Sequence, residues 1–396
     1  MKPNINGLKT IDTTVMAEFP SEIMYDILSR MPVRSLARLQ CVNKQWCNYI
    51  NDPYLEVIHA KRAPLTDAML IKFHQFPSNS SKSPCTLRFL EEEEGTCTLE
   101  VRKKPPVMEF MCRRANRCLP PFEIVLGSCN GLLYSSQGRN PDGSTTLVAI
   151  NPLRRECYKL PPINTPKSEP LGRFVESSSG LGFDDSTNTF KMVCVMKKFK
   201  EDLYTMVHVM GTNSWRKIPQ IPSYPIKGEG VFANGCLHWL VRDRYDYYGV
   251  YLAKPLISFD MAKEEFGLIN LPQELPSNWG IVRLVYLHGE VGYVYHIRHK
   301  LVVWVLKEKG WVRHFEIEEK PSLRSLKVLG FWNVKGDVLM LDKCHHRMFV
   351  YNLKSDTVDE VSLIGWKETP GREDIRMYQR SFVFNSLFDR KLMRRS

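Results

Sequence analysis

Hydrophobic and polar positions follow two different periods along this chain. From Pro20 apolar side chains recur every three or four residues, and Ile23, Ile27, Leu28 and Met31 fall on one side of a helix. Pro20 suits a first helical turn, where its missing N–H costs nothing, and Ser21 and Glu22 suit a helix start. Pro32 disfavours helix at Met31 and stops it. Val33, Leu36 and Leu39 predict a second short helix. Asn43 is placed to cap a third, which carries Trp46 and Ile50 and ends at Asn51-Asp52-Pro53. Three short helices within residues 18–62 enclose little interior, so some of their apolar surface needs a partner to cover it.

Past residue 62 the helical spacing fades, and after a Ser/Pro-rich loop at 74–85 the pattern becomes short strands. "LVAINPLRRECYKLPP" (147–162) reads as an apolar strand, a tight turn and a second strand ending in prolines. The same arrangement returns at 206–222, 256–272, 301–317 and 348–363. Its turns begin near Asn151, Gly211, Asp260, Lys307 and Leu353, a spacing of 60, 49, 47 and 46 residues. Another strand pair with a Gly turn precedes most of these hairpins, which gives about four strands per unit at the period of propeller blades. One such unit cannot bury both faces, so the units must stack around an axis. Five are visible between residues 127 and 365, and a weaker sixth lies in 66–126. "RSFVFNSLF" (380–388) reads as a terminal strand that pairs with the first blade and closes the ring, protecting edges that an open array would expose.

Composition narrows the class. The 396 residues are 43% hydrophobic and 25% charged, enough for a buried core in one large or two ordinary domains. No apolar run approaches the roughly 18 residues that span a bilayer. The first 16 residues hold no apolar segment of the secretory kind, so the expected location is nucleus and/or cytoplasm, with no membrane association. In that reducing setting the 11 cysteines are expected as free thiols. Cys344, His345 and His346 are adjacent on a strand pattern and point to alternating faces, so neither a metal nor any other cofactor is expected. Net charge is +12, while residues 18–62 are nearly neutral with six Lys/Arg against five Asp/Glu. The excess therefore lies downstream and is densest over 372–396, with seven basic against three acidic residues. It favours acidic partners, protein or nucleic acid, without choosing between them.

Candidate chemistry is sparse. "GSCNG" (127–131) has the form of a nucleophile elbow on Cys129, but that elbow needs a following helix and "LLYSS" reads as a strand. Asn130-Gly131 is instead a hairpin turn. No phosphate loop, dinucleotide fingerprint or paired-histidine metalloprotease motif occurs. Asp184 and Asp185 are turn acids, and Trp215, Trp239, Trp304, Trp311 and Trp332 read as packing between blades. Two loops are candidate contact surfaces. The segment 241–252 carries Arg242, Arg244, Tyr245, Tyr247 and Tyr248, the residue types enriched at interface hot spots, against the plainer reading of a solvated loop. The segment 163–180 is long and Pro/Ser-rich.

Two stretches carry a family resemblance. The opening helix, Met31-Pro32-Val33-x-Ser35-Leu36 and Cys41-Val42-Asn43-Lys44-x-Trp46 resemble the F-box of plant F-box proteins, with Phe19-Pro20 where the usual opening is Leu-Pro. "SCNGLLY", "INPLRRECYKLP", "GLGFDD" and "NGCLHWL" resemble the F-box-associated (kelch-like) domain of the same proteins, over roughly 120–365. The implied fold is a small all-α three-helix F-box followed by an all-β, β-propeller-like repeat domain. The implied division is a flexible tail over 1–17, the F-box over 18–62 and the β domain over 63–396.

The resemblance implies docking on a Skp-type adaptor and, through it, on a cullin and a RING protein of a ubiquitin ligase. Pro20, Ile23, Ile27, Leu28, Leu36, Cys41, Val42 and Trp46 are its adaptor-facing or module-forming positions. Pro20, Leu36 and Val42 are expected as contacts, while Ile27 and Trp46 are equally expected to hold the helices together. The β domain is expected to bind a target protein, with no bond chemistry by this chain. The other readings are a basic nucleic-acid-binding propeller, which leaves the front unit unexplained, and a carbohydrate-binding propeller.

Overall fold

A computed structural model of the chain describes residues 20–31, 33–52, 54–55, 58–59, 66–74, 82–92, 98–101, 108–113, 125–139, 144–152, 155–163, 178–197, 203–241, 254–275, 281–297, 300–318, 326–332, 337–342, 347–364 and 371–379. The tail expected over 1–17 and the strand expected over 380–388 lie outside them.

The helical segment holds α1 (Ser21–Ser29), α2 (Val33–Leu39) and α3 (Lys44–Ile50). Pro20 sits at the N-cap of α1, where its carbonyl accepts from the N–H groups of Ile23 (3.0 Å) and Met24 (3.1 Å). Asn43 caps α3 by accepting from the Trp46 N–H at 2.8 Å. Met24, Leu28, Leu36, Ile50 and Leu55 form the core of this segment, with Trp46, Leu39 and Tyr25 packed at its edge. Five buried side chains make a small interior.

The strands follow in chain order. The first four are β1 (Thr66–His74), β2 (Lys82–Glu92), β3 (Thr98–Val101) and β4 (Met108–Arg113). One antiparallel unit is β5 (Val125–Cys129), β6 (Leu132–Arg139), β7 (Thr145–Asn151) and β8 (Glu156–Lys159). The next is β9 (Ser178–Asp184), β10 (Thr189–Lys197), β11 (Leu203–Val209) and β12 (Arg216–Ile218). A third is β13 (Ile226–Ala233), β14 (Cys236–Val241), β15 (Leu256–Asp260) and β16 (Glu265–Ile269). The fourth is β17 (Ile281–Leu287), β18 (Glu290–Ile297), β19 (Lys300–Lys307) and β20 (Gly310–Glu318). The fifth is β21 (Leu326–Phe331), β22 (Val338–Asp342), β23 (Arg347–Asn352) and β24 (Thr357–Ile364).

The sixth unit joins the two ends of the β region. The last described strand, β25 (Gly371–Gln379), pairs antiparallel with β1 from Thr66↔Gln379 to His74↔Gly371, and β1 continues through β2 to β4. The innermost strands β5, β9, β13, β17, β21 and β25 each touch the next, and β25 touches β5, so the ring closes. The described strand that pairs with β1 and closes the ring is 371–379, while the segment 380–388 lies outside the described residues. "GREDIRMYQ" holds only alternate apolar residues, whereas "RSFVFNSLF" looks the stronger strand. Alternation is what an inner strand with two different neighbours requires.

Three of the inner hairpins turn through two residues. Asn130-Gly131, Asn234-Gly235 and His288-Gly289 all take positive φ, between 41° and 89°. Their twist matches that of the flanking strands. Between neighbouring units the two faces of each sheet diverge. On β10, Met192, Cys194 and Met196 pack against the unit of β5–β8, while Val193 and Val195 pack against the unit of β13–β16. The second unit thus buries both faces, which is the stacking that the repeat period predicts.

Small residues let the inner strands approach. A Cβ added at Gly180 or Gly230 would lie within 3.0 Å of the fully buried Trp239, whose Nε1–H donates to the Ser179 carbonyl at 3.3 Å. Outer seams are pinned by indole N–H groups. Trp215 donates to the Pro161 carbonyl and Trp311 to the Asn270 carbonyl, each at 2.7 Å and each reaching the preceding unit. These contacts place the tryptophans between units, where sequence reasoning put them.

Candidate functional site

Exposed large apolar side chains concentrate in the helical segment. Ile23 (47%), Ile27 (45%), Val42 (61%) and Tyr54 (58%) stand out within 32 residues, although the segment is a small part of the chain. The helical period explains the first two. Met24 and Leu28 turn inward on α1, and Ile23 and Ile27, one turn apart, occupy a neighbouring stripe that the core does not cover. Pro20, exposed at the head of α1, continues that stripe. Val42 and the exposed Cys41 sit in the turn between α2 and α3, where the Cys41 and Val42 N–H groups are bonded to the Arg38 and Leu39 carbonyls.

This divides the expected adaptor-facing residues. Pro20, Ile23, Ile27, Cys41 and Val42 are exposed. Leu28 and Leu36 are wholly buried. Leu36, expected as a contact, instead lies wholly buried on the side of its seven-residue helix that packs with Leu28 and Ile50. Trp46 packs at the core edge and remains half-buried, whereas Ile27 does not enter the core at all. Tyr54 was missed by periodicity. It follows the third helix, its N–H is held by Asp52 Oδ1 at 2.8 Å, and its ring meets Tyr25 edge-on at 5.0 Å.

Electrostatics around the module are modest. Asp26 and Arg30 pair at 3.0 Å one turn apart at the end of α1, both largely in solvent, where water and salt screen them. The Tyr25 hydroxyl donates to Asp52 Oδ2; burial and then that carboxylate push the phenol pKa up. His59 is buried with Nε2 on the Met31 carbonyl at 2.9 Å, and burial keeps its pKa below the usual histidine value. The stripe of Pro20, Ile23 and Ile27 thus carries apolar surface without strong charge, which suits a partner that offers apolar surface in return.

The remaining candidates divide between those the structure describes and those it does not. Arg242, Arg244, Tyr245, Tyr247 and Tyr248 lie outside the described residues, as do Cys344, His345, His346 and most of the loop 163–180. Cys129 is buried at the end of β5, a two-residue turn and a strand follow it, and burial drives its thiol well above the ordinary pKa. That is the opposite of an activated nucleophile. Asp184 is equally buried and accepts from Ser186, Thr187 and the Lys191 ammonium, a structural role. Among the described residues no group of three or more His, Cys, Asp or Glu could hold a metal ion, and no helix is long and apolar enough to cross a membrane.

Two protein-family models account for nearly the whole chain. Residues 16–57 match the F-box domain, and residues 91–386 match the F-box associated beta propeller domain. The chain belongs to the F-box-associated β-propeller family. Relatives of this F-box protein are found in Arabidopsis thaliana. It is 23% identical to the F-box protein At1g47340, over 93% of this chain and 80% of that protein. It is 26% identical to the F-box protein CPR1, over 79% and 76% of the two chains. Among solved structures, a mutant of AofleA from Arthrobotrys oligospora aligns over 78% of this chain and 89% of its own, at 10% identity and a TM-score of 0.34. The F-box model thus falls on the segment where the exposed apolar stripe is, and the propeller model on the ring of strands.

Proposed function

We propose that this F-box protein is the substrate-recognition subunit of a Skp–cullin–F-box ubiquitin ligase. A three-helix F-box over 18–62 docks on the Skp-type adaptor, and through it on cullin and RING protein. The β domain over 63–396 binds a target protein. Pro20, Ile23, Ile27, Cys41 and Val42 are the direct contacts, Leu28 and Leu36 hold the module that presents them, and Trp46 does both at the core edge. Arg242, Arg244, Tyr245, Tyr247 and Tyr248 are proposed to meet the target. The chain forms and breaks no bond itself. It acts by proximity, since a tethered target meets the ligase-bound conjugating enzyme at a raised effective concentration. The setting proposed is the nucleus and/or cytoplasm.

One observation carries this reading: the uncovered stripe Pro20–Ile23–Ile27, on a helix inside the segment that matches the F-box model. Copurification of the full-length protein with a Skp-type adaptor tests it, with Ile27→Asp as the disrupting variant. A complex that the substitution abolishes is expected; no complex, or one indifferent to the substitution, contradicts it. The net charge of +12 favours a second reading, a nucleic-acid-binding propeller, which predicts RNA or DNA binding that weakens steeply with salt.

A further inference from the structure

The strand β25 faces three other units besides the β1 to which it is paired. Its side chains alternate. Ile375 and Met377 pack with Leu329, Leu339 and Met348 of the fifth unit. Tyr378, wholly buried, points the other way and donates to the Gly131 carbonyl, in the first hairpin turn, at 2.7 Å. Arg376 shares that second side and reaches further. Its Nη1 lies 2.9 Å from Glu229 Oε1 on β13. In the ring order β5, β9, β13, β17, β21, β25, the strands β13 and β25 are three places apart, so they stand on opposite sides of the axis. The Arg376–Glu229 pair therefore spans the centre of the ring. Its side chains are only 14% and 32% exposed, so solvent screens the pair less than it would at the surface.

The helical segment precedes this strand pair in the chain. Residues 20–59 precede β1, and Thr66, the first residue of β1, is paired with Gln379, the last of β25. Among the described residues β25 is the strand that flanks β1 on its inner side. We propose that the Arg376–Glu229 pair is an axial clasp that seats the sixth unit and so holds the ring shut. This goes beyond the receptor role, because it concerns how the ring is closed and holds whatever the helical module binds. Breaking the clasp leaves the first five units formed while β1 and β25 open as one local unit.

Amide hydrogen exchange on the full-length protein tests this. Arg376→Met and Glu229→Arg are each expected to speed exchange in 66–74 and 371–379 by at least about tenfold, with β14 and β18 as slow as in the parent. The exchanged pair Glu229→Arg/Arg376→Glu is expected to restore slow exchange, and Arg376→Lys, which keeps the charge, to stay within about threefold of the parent. Unchanged exchange in 66–74 and 371–379 after Arg376→Met overturns the proposal. So does acceleration spread evenly over β14 and β18, which marks a general loss of stability. Loosening by Arg376→Lys as great as that by Arg376→Met likewise excludes an ionic clasp.

Discussion

Lys191 joins Asp184 to Glu264 across the seam between the second and third units, with its ammonium 2.7 Å from Asp184 Oδ2 and 2.9 Å from Glu264 Oε1. It also donates to the Met261 carbonyl at 2.8 Å, while Arg216 pairs with Glu264 from the same side. Lys191 and Asp184 are buried, so each charge depends on the others. Replacing Lys191 by Met leaves two carboxylates beside a low-dielectric seam without their shared cation. A loss of about 3–5 kcal/mol in unfolding free energy is expected from denaturant titration. A loss below about 1 kcal/mol would show that the ammonium is not needed there.

The same cluster sets an acid limit. Burial alone would raise the pKa of Asp184, but the hydrogen bonds from Lys191, Ser186 and Thr187 outweigh it and hold the carboxyl well below its ordinary range. Glu264 is lowered as well, its burial being outweighed by Arg216 and Lys191. A lowered folded pKa gives stability that is present above the unfolded value, near 3.9–4.3, and is lost as pH falls through the folded value. Thermal melts from pH 7 to pH 3 should therefore fall most steeply below about pH 4, and the slope there should flatten in Asp184→Asn. An equal slope in both proteins would remove Asp184 from the account.

Gly230 and Trp239 predict a packing effect of a different kind. A Cβ at Gly230 would come within 2.6 Å of the indole, which has no free space to move into because Trp239 is wholly buried. Gly230→Ala is expected to lower unfolding free energy by about 1–3 kcal/mol. Gly235→Ala meets no neighbour but sits at φ 73°, so its cost is backbone strain of about 1 kcal/mol. Differential scanning calorimetry of both variants checks the order.

Much of this was legible in the chain. The break between α1 and α2, the cap at Asn43, the hairpin at Asn130-Gly131 and the tryptophans between units all follow from short-range chemistry that the sequence carries locally. The closing strand did not, because its register is decided by Thr66, some 300 residues away, and its Arg376 and Glu373 mimic a surface segment. Leu36 was misplaced for a related reason. Spacing shows that a side is apolar, but only the packing of Leu28, Leu36 and Ile50 together shows which apolar side is inside.

Within the helical module, the buried and exposed apolar residues should separate cleanly. Leu28→Ala and Leu36→Ala remove fully buried side chains and are expected to cost about 2–5 kcal/mol of module stability. Ile23→Ala and Ile27→Ala, at exposed sites, should stay within about 0.5 kcal/mol of the parent. Exchange protection of α1 and α3 amides reads the difference. Comparable losses in all four would mean that Ile23 and Ile27 are covered within the chain itself.

The adaptor-docking claim rests most directly on the affinity of the full-length protein for a purified Skp-type adaptor, measured by calorimetry for the parent and for Ile27→Asp. Burying an aspartate where an apolar anchor belongs leaves an unpaired charge in the interface. The account predicts a one-to-one complex for the parent and an affinity at least about a hundredfold weaker for the variant, with α1 amide protection unchanged. No complex with the parent, or equal affinity for the two proteins, would contradict it.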